Sequence, residues 1–265
     1  MGNHIFNPGD ENFRMVLNSK YYVDKTDLIY YLNKIINTDN RFISVSRPRR
    51  FGKTVTTNML TAYYSYSEKK TTIFNDRYIG IIYDELNQTE EQNKIGISKM
   101  NNKHYKYLNE FNVIKLIMNE YFANCSIEEG IKIMMNSIID EIKSSIKDIN
   151  FSNVNDIIDI FEVFYNKTDR KIVFIIDEWD YILRHFKDET STYIYLEFLN
   201  KFLKDEKYIA LAYITGILPL KKIKDNLLLI ILENFQWFYL PGMQNILDLQ
   251  MMKLKNYVKY ININK

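Results

Sequence analysis

The chain has 265 residues, 46% hydrophobic and 26% charged, a balance that allows one large domain with a sizeable core, or a domain with an appendage. Its formal net charge of +2 is too small to mark a nucleic-acid binder by itself, and a single cysteine, Cys125, excludes an internal disulfide. Apolar runs such as 227–232 fall well short of the ~20 residues a membrane-spanning helix needs, and with no charged-then-apolar leader ahead of Asn7 the expected compartment is the cytoplasm.

In chain order, residues 1–20 carry turn formers and little apolar periodicity before Phe13. A helix is expected at Leu28-Ile29-Tyr30-Tyr31-Leu32, capped by Thr26 or Asp27. Phe42-Ile43-Ser44-Val45 reads as a strand, and a helix opens at Thr54 with Val55, Met59, Leu60, Ala62 and Tyr63 as its apolar positions. The polar stretch 87–106 reads as loop, ahead of a strand at 113–118. Residues 128–146 form a long helix with Ile131, Met134, Met135, Ile138, Ile139 and Ile142 on one face; the methionine pair belongs to the core. A helix at 154–165, a strand at 171–176, a helix at 193–203 and a strand at 208–214 ending in Thr215-Gly216 complete the series. Strands separated by helices, with ligand groups at their carboxyl ends, make an αβα sandwich on a mainly parallel central sheet.

Two segments carry chemistry. Arg47-Pro48-Arg49-Arg50-Phe51-Gly52-Lys53-Thr54 stands directly behind the first strand and fits the phosphate-loop pattern G-x-x-x-x-G-K-[ST] at Gly52, Lys53 and Thr54. Backbone N–H groups of such a loop cradle phosphate, the lysine reaches the β/γ-phosphates, and the hydroxyl holds Mg²⁺. Arg47 occupies the place of the first glycine, whose conformational freedom the turn normally uses. The second segment is the apolar run 171–176 closed by Asp177 and Glu178, a buried strand delivering two carboxylates to a sheet edge in the Walker B manner. Asp177 is expected to orient the Mg²⁺ shell and Glu178 to polarise the attacking water. For one site to form, both acids are expected on a strand next to the one preceding Arg47, facing Thr54. The basic cluster Arg47, Arg49, Arg50 and Lys53 is read as neutralising triphosphate charge rather than contacting DNA. His4, His104 and His185 have no partners at metal-ligand spacing and are read as surface or packing residues.

With these pieces in place, the chain resembles the AAA-ATPase-like family, a P-loop NTPase group of bacterial proteins usually fused to a C-terminal PD-(D/E)XK nuclease-like domain. The residues that carry the likeness are Asn7-Pro8-Gly9, Tyr22-Val23-Asp24-Lys25-Thr26, Ser46 through Thr54, Ile176-Asp177-Glu178-Trp179-Asp180, and Thr215-Gly216-Ile217-Leu218-Pro219-Leu220-Lys221-Lys222. In that family arginine at the first glycine position is the normal form. The resemblance implies ATP and Mg²⁺ as ligands, with Lys53 and Thr54 on phosphate and metal, Asp177 and Glu178 as metal and water-positioning acids, and Thr215 as a sensor at the adjoining strand tip. For Asp24 and Lys25 it leaves two readings open, a contact to nucleotide or to Arg47, and a helix cap with a solvated lysine. Arg184 is a weak candidate for an arginine finger.

The likeness stops after Lys222, which divides the chain into a P-loop domain at 1–222 and an aberrant tail at 223–265. Methionine and tryptophan have unique codons, so the frame one base earlier is partly fixed: Met251-Met252-Lys253 yields Asp then Glu, and Trp237-Phe238-Tyr239 yields Val then Leu. With AT-rich codons, the shifted strings resemble the family's continuation, and the tail is read as out of frame, lacking the usual nuclease-like domain. The leading function is therefore a Mg-dependent ATPase domain. The alternatives are a nucleotide-binding interaction module with negligible turnover, and a DNA-associated module whose affinity would fall steeply with salt. Self-association and nucleic-acid contact are left open, and no membrane partner is expected.

Overall fold

The computed structural model describes residues 4–82, 105–151, 157–203, 206–218 and 236–237. Its centre is an all-parallel sheet of β1 (Phe42–Ser46), β2 (Asn112–Ile117), β3 (Ile172–Asp177) and β4 (Ile209–Gly216), with β5 (Gln236–Trp237) as a two-residue strand, in the order β2-β3-β4-β1-β5. β3 and β4 are buried along their whole length, which is why their sequences are nearly continuous apolar runs instead of alternating ones.

Strand pleating sends successive side chains to opposite faces, and two separate cores result. Ile114, Leu116, Ile172, Phe174, Ile176 and Ile214 join one cluster, while Val113, Val173, Ile175, Leu211 and Tyr213 join the other. The first face is covered by α5 (Ile127–Ser145), α6 (Ile157–Thr168) and α8 (Glu189–Phe202); the second by α2 (Asp27–Ile35) and α3 (Lys53–Tyr64). This is the expected αβα sandwich.

Local chemistry sets two of the helix starts. The Ser126 hydroxyl accepts from the Glu129 N–H and starts α5, and the Asp188 carboxylate accepts from the Ser191 N–H and starts α8 four residues ahead of the expected 193. Met134, Ile138 and Ile142 are buried on the α5 face, with Ile131, Met135 and Ile139 packed beside them. α6 continues to Thr168, and its expected beginning at 154–156 lies outside the described residues, as does most of the polar stretch 87–106. Short helices that were not anticipated include α1 (Glu11–Leu17), which buries Phe13, α4 (Met118–Phe122) and α7 (Tyr181–His185). Each has seven residues or fewer, too short for a periodic signal and dependent on tertiary packing.

The free edge of β2 is closed by residues 5–7. Phe6 bridges antiparallel to Ile114, the Asn7 N–H donates to Val113 O, and the Lys115 N–H donates to Ile5 O. The Asn7 carboxamide oxygen accepts from the Val113 N–H at 2.7 Å, while Glu141 Oε2 accepts from the N–H groups of Ile5 and Phe6. An otherwise exposed row of strand donors and acceptors is thereby occupied. The expectation of a tail standing apart at 223–265 falls outside the described residues except at β5, where Gln236 and Trp237 pair in parallel with Ile43 and Ser44.

Candidate active site

The loop after β1 turns back toward the sheet, its Arg47 N–H donating to Gly216 O at 3.0 Å. The left-handed backbone that favours glycine is adopted at Arg50 (φ 69°) and Gly52 (φ 75°), while Arg47 is not among the residues with positive φ. Arginine at the first glycine position therefore meets no steric objection. At Gly52 a Cβ would also lie 3.1 Å from Lys25 Nζ. Lys53 opens α3, and its ammonium donates to the carbonyls of Arg47 and Pro48 at 2.9 and 3.0 Å, so the loop arches over its own cation. No side chain caps this helix and no acid stands in its first turn. Its N-terminal N–H groups and positive dipole end are thus left without a side-chain acceptor and favour an anion.

Facing the loop is Asp177, the last residue of β3 and 2% exposed. The Thr54 hydroxyl donates to its Oδ2 at 2.9 Å. Its Oδ1 accepts from the Thr215 hydroxyl and, at 3.0 Å, from the Glu178 N–H. Four of the expected site residues, Thr54, Asp177, Glu178 and Thr215, thus meet at one carboxylate, and Lys53 stands beside Thr54 on α3.

The expected strand adjacency needs correction. β3 does not lie next to β1: β4 runs between them, paired in parallel with both. Thr215 is consequently central, and the Asp177 carboxylate reaches Thr54 across the tip of β4. Strand order is a non-local property, and nothing in the two motifs encodes it.

The Asp24-Lys25 pair divides between its two readings. Asp24 is a local brace: its Oδ1 accepts from the Thr26 N–H and its Oδ2 from the Tyr78 N–H. Lys25 is half-buried and reaches the loop, donating to Phe51 O at 3.2 Å. Burial, reinforced by the Arg47 charge and opposed by Asp27, holds its ammonium below the usual pKa. Thr26 does precede α2, yet its hydroxyl accepts from the Ile79 N–H instead of capping that helix.

Lys115 escaped the sequence reading, and Asp180 and Ser46, quoted there only for the likeness, also take part. Lys115 lies buried in β2; its Nζ donates to Asn58 Oδ1 on α3, and burial lowers its pKa against the attraction of Asp177 and Glu120. A lysine amid the apolar run Val113-Ile114-Lys115-Leu116-Ile117 was the available signal. Asp180, fully buried, accepts from the N–H groups of Ile217 and Leu218 at 2.9 and 2.7 Å through Oδ2. Ser46 joins the same segment by donating to Leu218 O at 2.8 Å. The segment after β4 is therefore fastened between the phosphate loop and the residues that follow β3.

A parallel αβα sheet, with a Gly-Lys-Thr helix start facing a strand-end aspartate, defines a P-loop NTPase-like fold. The chain belongs to the AAA-ATPase-like family, described as predicted AAA-ATPase, whose family model matches residues 9–225. No curated protein and no solved structure matches the chain. Among the described residues no helix is long and apolar enough to cross a membrane.

Proposed function

We propose that the domain binds ATP with Mg²⁺ and hydrolyses the β–γ bond. The observation that carries this reading is the 2.9 Å hydrogen bond between Thr54 and Asp177, which joins the two motifs into one site. Both atoms are hard oxygen donors, and Mg²⁺ takes one or two protein oxygens together with waters and phosphate oxygens, so the donor set fits the ion. When bound, the ion neutralises charge on the β- and γ-phosphates.

The chain's own residues supply the rest. Loop and α3 amides bind phosphate, and Lys53 exchanges the Arg47 and Pro48 carbonyls for phosphate oxygens. Arg47, Pro48, Arg49, Arg50 and Phe51 form the loop wall, with Arg49 and Arg50 exposed. Thr215 and the Glu178 N–H hold the Asp177 carboxylate so that Oδ2 stays toward Thr54. Glu178 orients a water and takes up its proton as the water oxygen bonds to the γ-phosphorus and the bond to the β-bridging oxygen breaks, releasing ADP and phosphate.

The test is an ATP titration of the purified chain with and without Mg²⁺, followed by turnover. Saturable, Mg-dependent binding is expected, and Glu178→Gln should lower kcat by about 100-fold or more while still binding ATP, the usual range for losing a general base. No ATP binding removes the proposal, and equal turnover by wild type and Glu178→Gln removes the role of Glu178.

A further inference from the structure

Arg184, on α7, is placed between two carboxylates of its own chain. Its Nη2 lies 3.7 Å from Glu178 Oε2 and its Nε 3.2 Å from Asp180 Oδ2, with its side chain 15% exposed. Both nitrogens are buried, yet neither has a hydrogen-bond partner. A buried donor without an acceptor is costly, so another requirement must hold the guanidinium there.

The surroundings indicate that requirement. Asp180 cannot follow Arg184, because the amides of Ile217 and Leu218 fix its Oδ2. Glu178 is equally constrained along its backbone: it sits at φ 53°, its N–H donates to Asp177, and the next N–H, that of Trp179, donates to Thr215 O. A non-glycine residue in the left-handed region is strained and persists only where its surroundings over-determine it. The remaining freedom of Glu178 is in its side chain, and the charge placed to decide its direction is Arg184.

We infer that Arg184 is a positioning residue for Glu178, held to that task by Asp180; this rests on the reading of Glu178 as the water-orienting acid. The same geometry argues against an arginine finger that extends from the surface to a neighbouring molecule's phosphate. Arg184 is instead committed to acids of its own chain.

The experiment uses the full chain with Arg184→Gln, Arg184→Lys and Asp180→Asn, measuring kcat and KM separately, ATP affinity by titration, and thermal melting. Arg184→Gln should lower kcat by about 10- to 100-fold, the scale of a misoriented catalytic group, with ATP affinity within about twofold of wild type. Arg184→Lys should recover part of the loss, since it restores charge without the planar fork. Asp180→Asn should act in the same direction; if it fails to fold, the Arg184 variants carry the test. A kcat loss in Glu178→Gln with none in Arg184→Gln overturns this inference alone. A parallel fall of kcat, ATP affinity and melting temperature in Arg184→Gln overturns it in favour of a structural role. Equal turnover by wild type and Glu178→Gln overturns both this inference and the reading on which it rests.

Discussion

At the residue scale, Gly52 and Lys53 of the loop after β1 have separate tasks. Gly52 supplies the left-handed turn into α3, and Lys53 is stored against two loop carbonyls, a contact that any stronger anion can displace. Lys53→Ala should therefore weaken ATP binding by on the order of 100-fold or more, corresponding to the ~1.5–3 kcal/mol of a hydrogen bond to a charged group plus lost long-range attraction. Equilibrium titration of the folded variant is the measurement, and unchanged affinity would reduce Lys53 to a surface residue at a helix start.

At the element scale, β4 organises the site more than either motif strand does. Its tip carries Thr215, which holds Asp177, and Gly216, whose missing side chain admits Trp179 and Asp180. A Cβ built on Gly216 would lie 2.6 Å from Trp179 Nε1 and 2.9 Å from Asp180 Oδ1. Trp179 is 1% exposed and Tyr195 donates to its carbonyl at 2.6 Å, so the ring cannot simply swing away. Gly216→Ala is expected to destabilise the fold by about 1–3 kcal/mol through overpacking and to reduce turnover by displacing Asp180. Thermal denaturation reads the first effect and kcat the second; a variant as stable and active as wild type would show that this packing is slack.

At the scale of the whole molecule, two observations bear on residues 223–265. The codon pattern suggests a reading frame displaced near codon 222, whereas Gln236 and Trp237 lie beside β1 in the parallel register that a native strand would take. We expect the gene to decide for the frame: restoring one base near codon 222 should open a long frame whose product continues the family pattern. An absence of any extended alternative frame would make the tail a genuine part of a compact domain. Short parallel pairing needs little sequence consistency, so β5 does not by itself require selection.

The sequence by itself determined what depends on near neighbours. The apolar runs of β1 to β4, the face of α5 and the Gly52-Lys53-Thr54 helix start are written in residue spacing, because backbone geometry repeats every few residues. The positions of the candidate site residues were legible for the same reason: Lys53, Thr54, Asp177, Glu178 and Thr215 each stand at the end of a predictable strand or the start of a predictable helix. Tertiary structure alone decided which of these ends meet. The placement of β4 between β1 and β3, the closure of the β2 edge by residues 5–7, the burial of Lys115, and the fastening of Leu218 to Asp180 join positions far apart in the chain. Their energies come from packing and from satisfying buried polar groups, which exist only after the sheet has assembled and which no local pattern records.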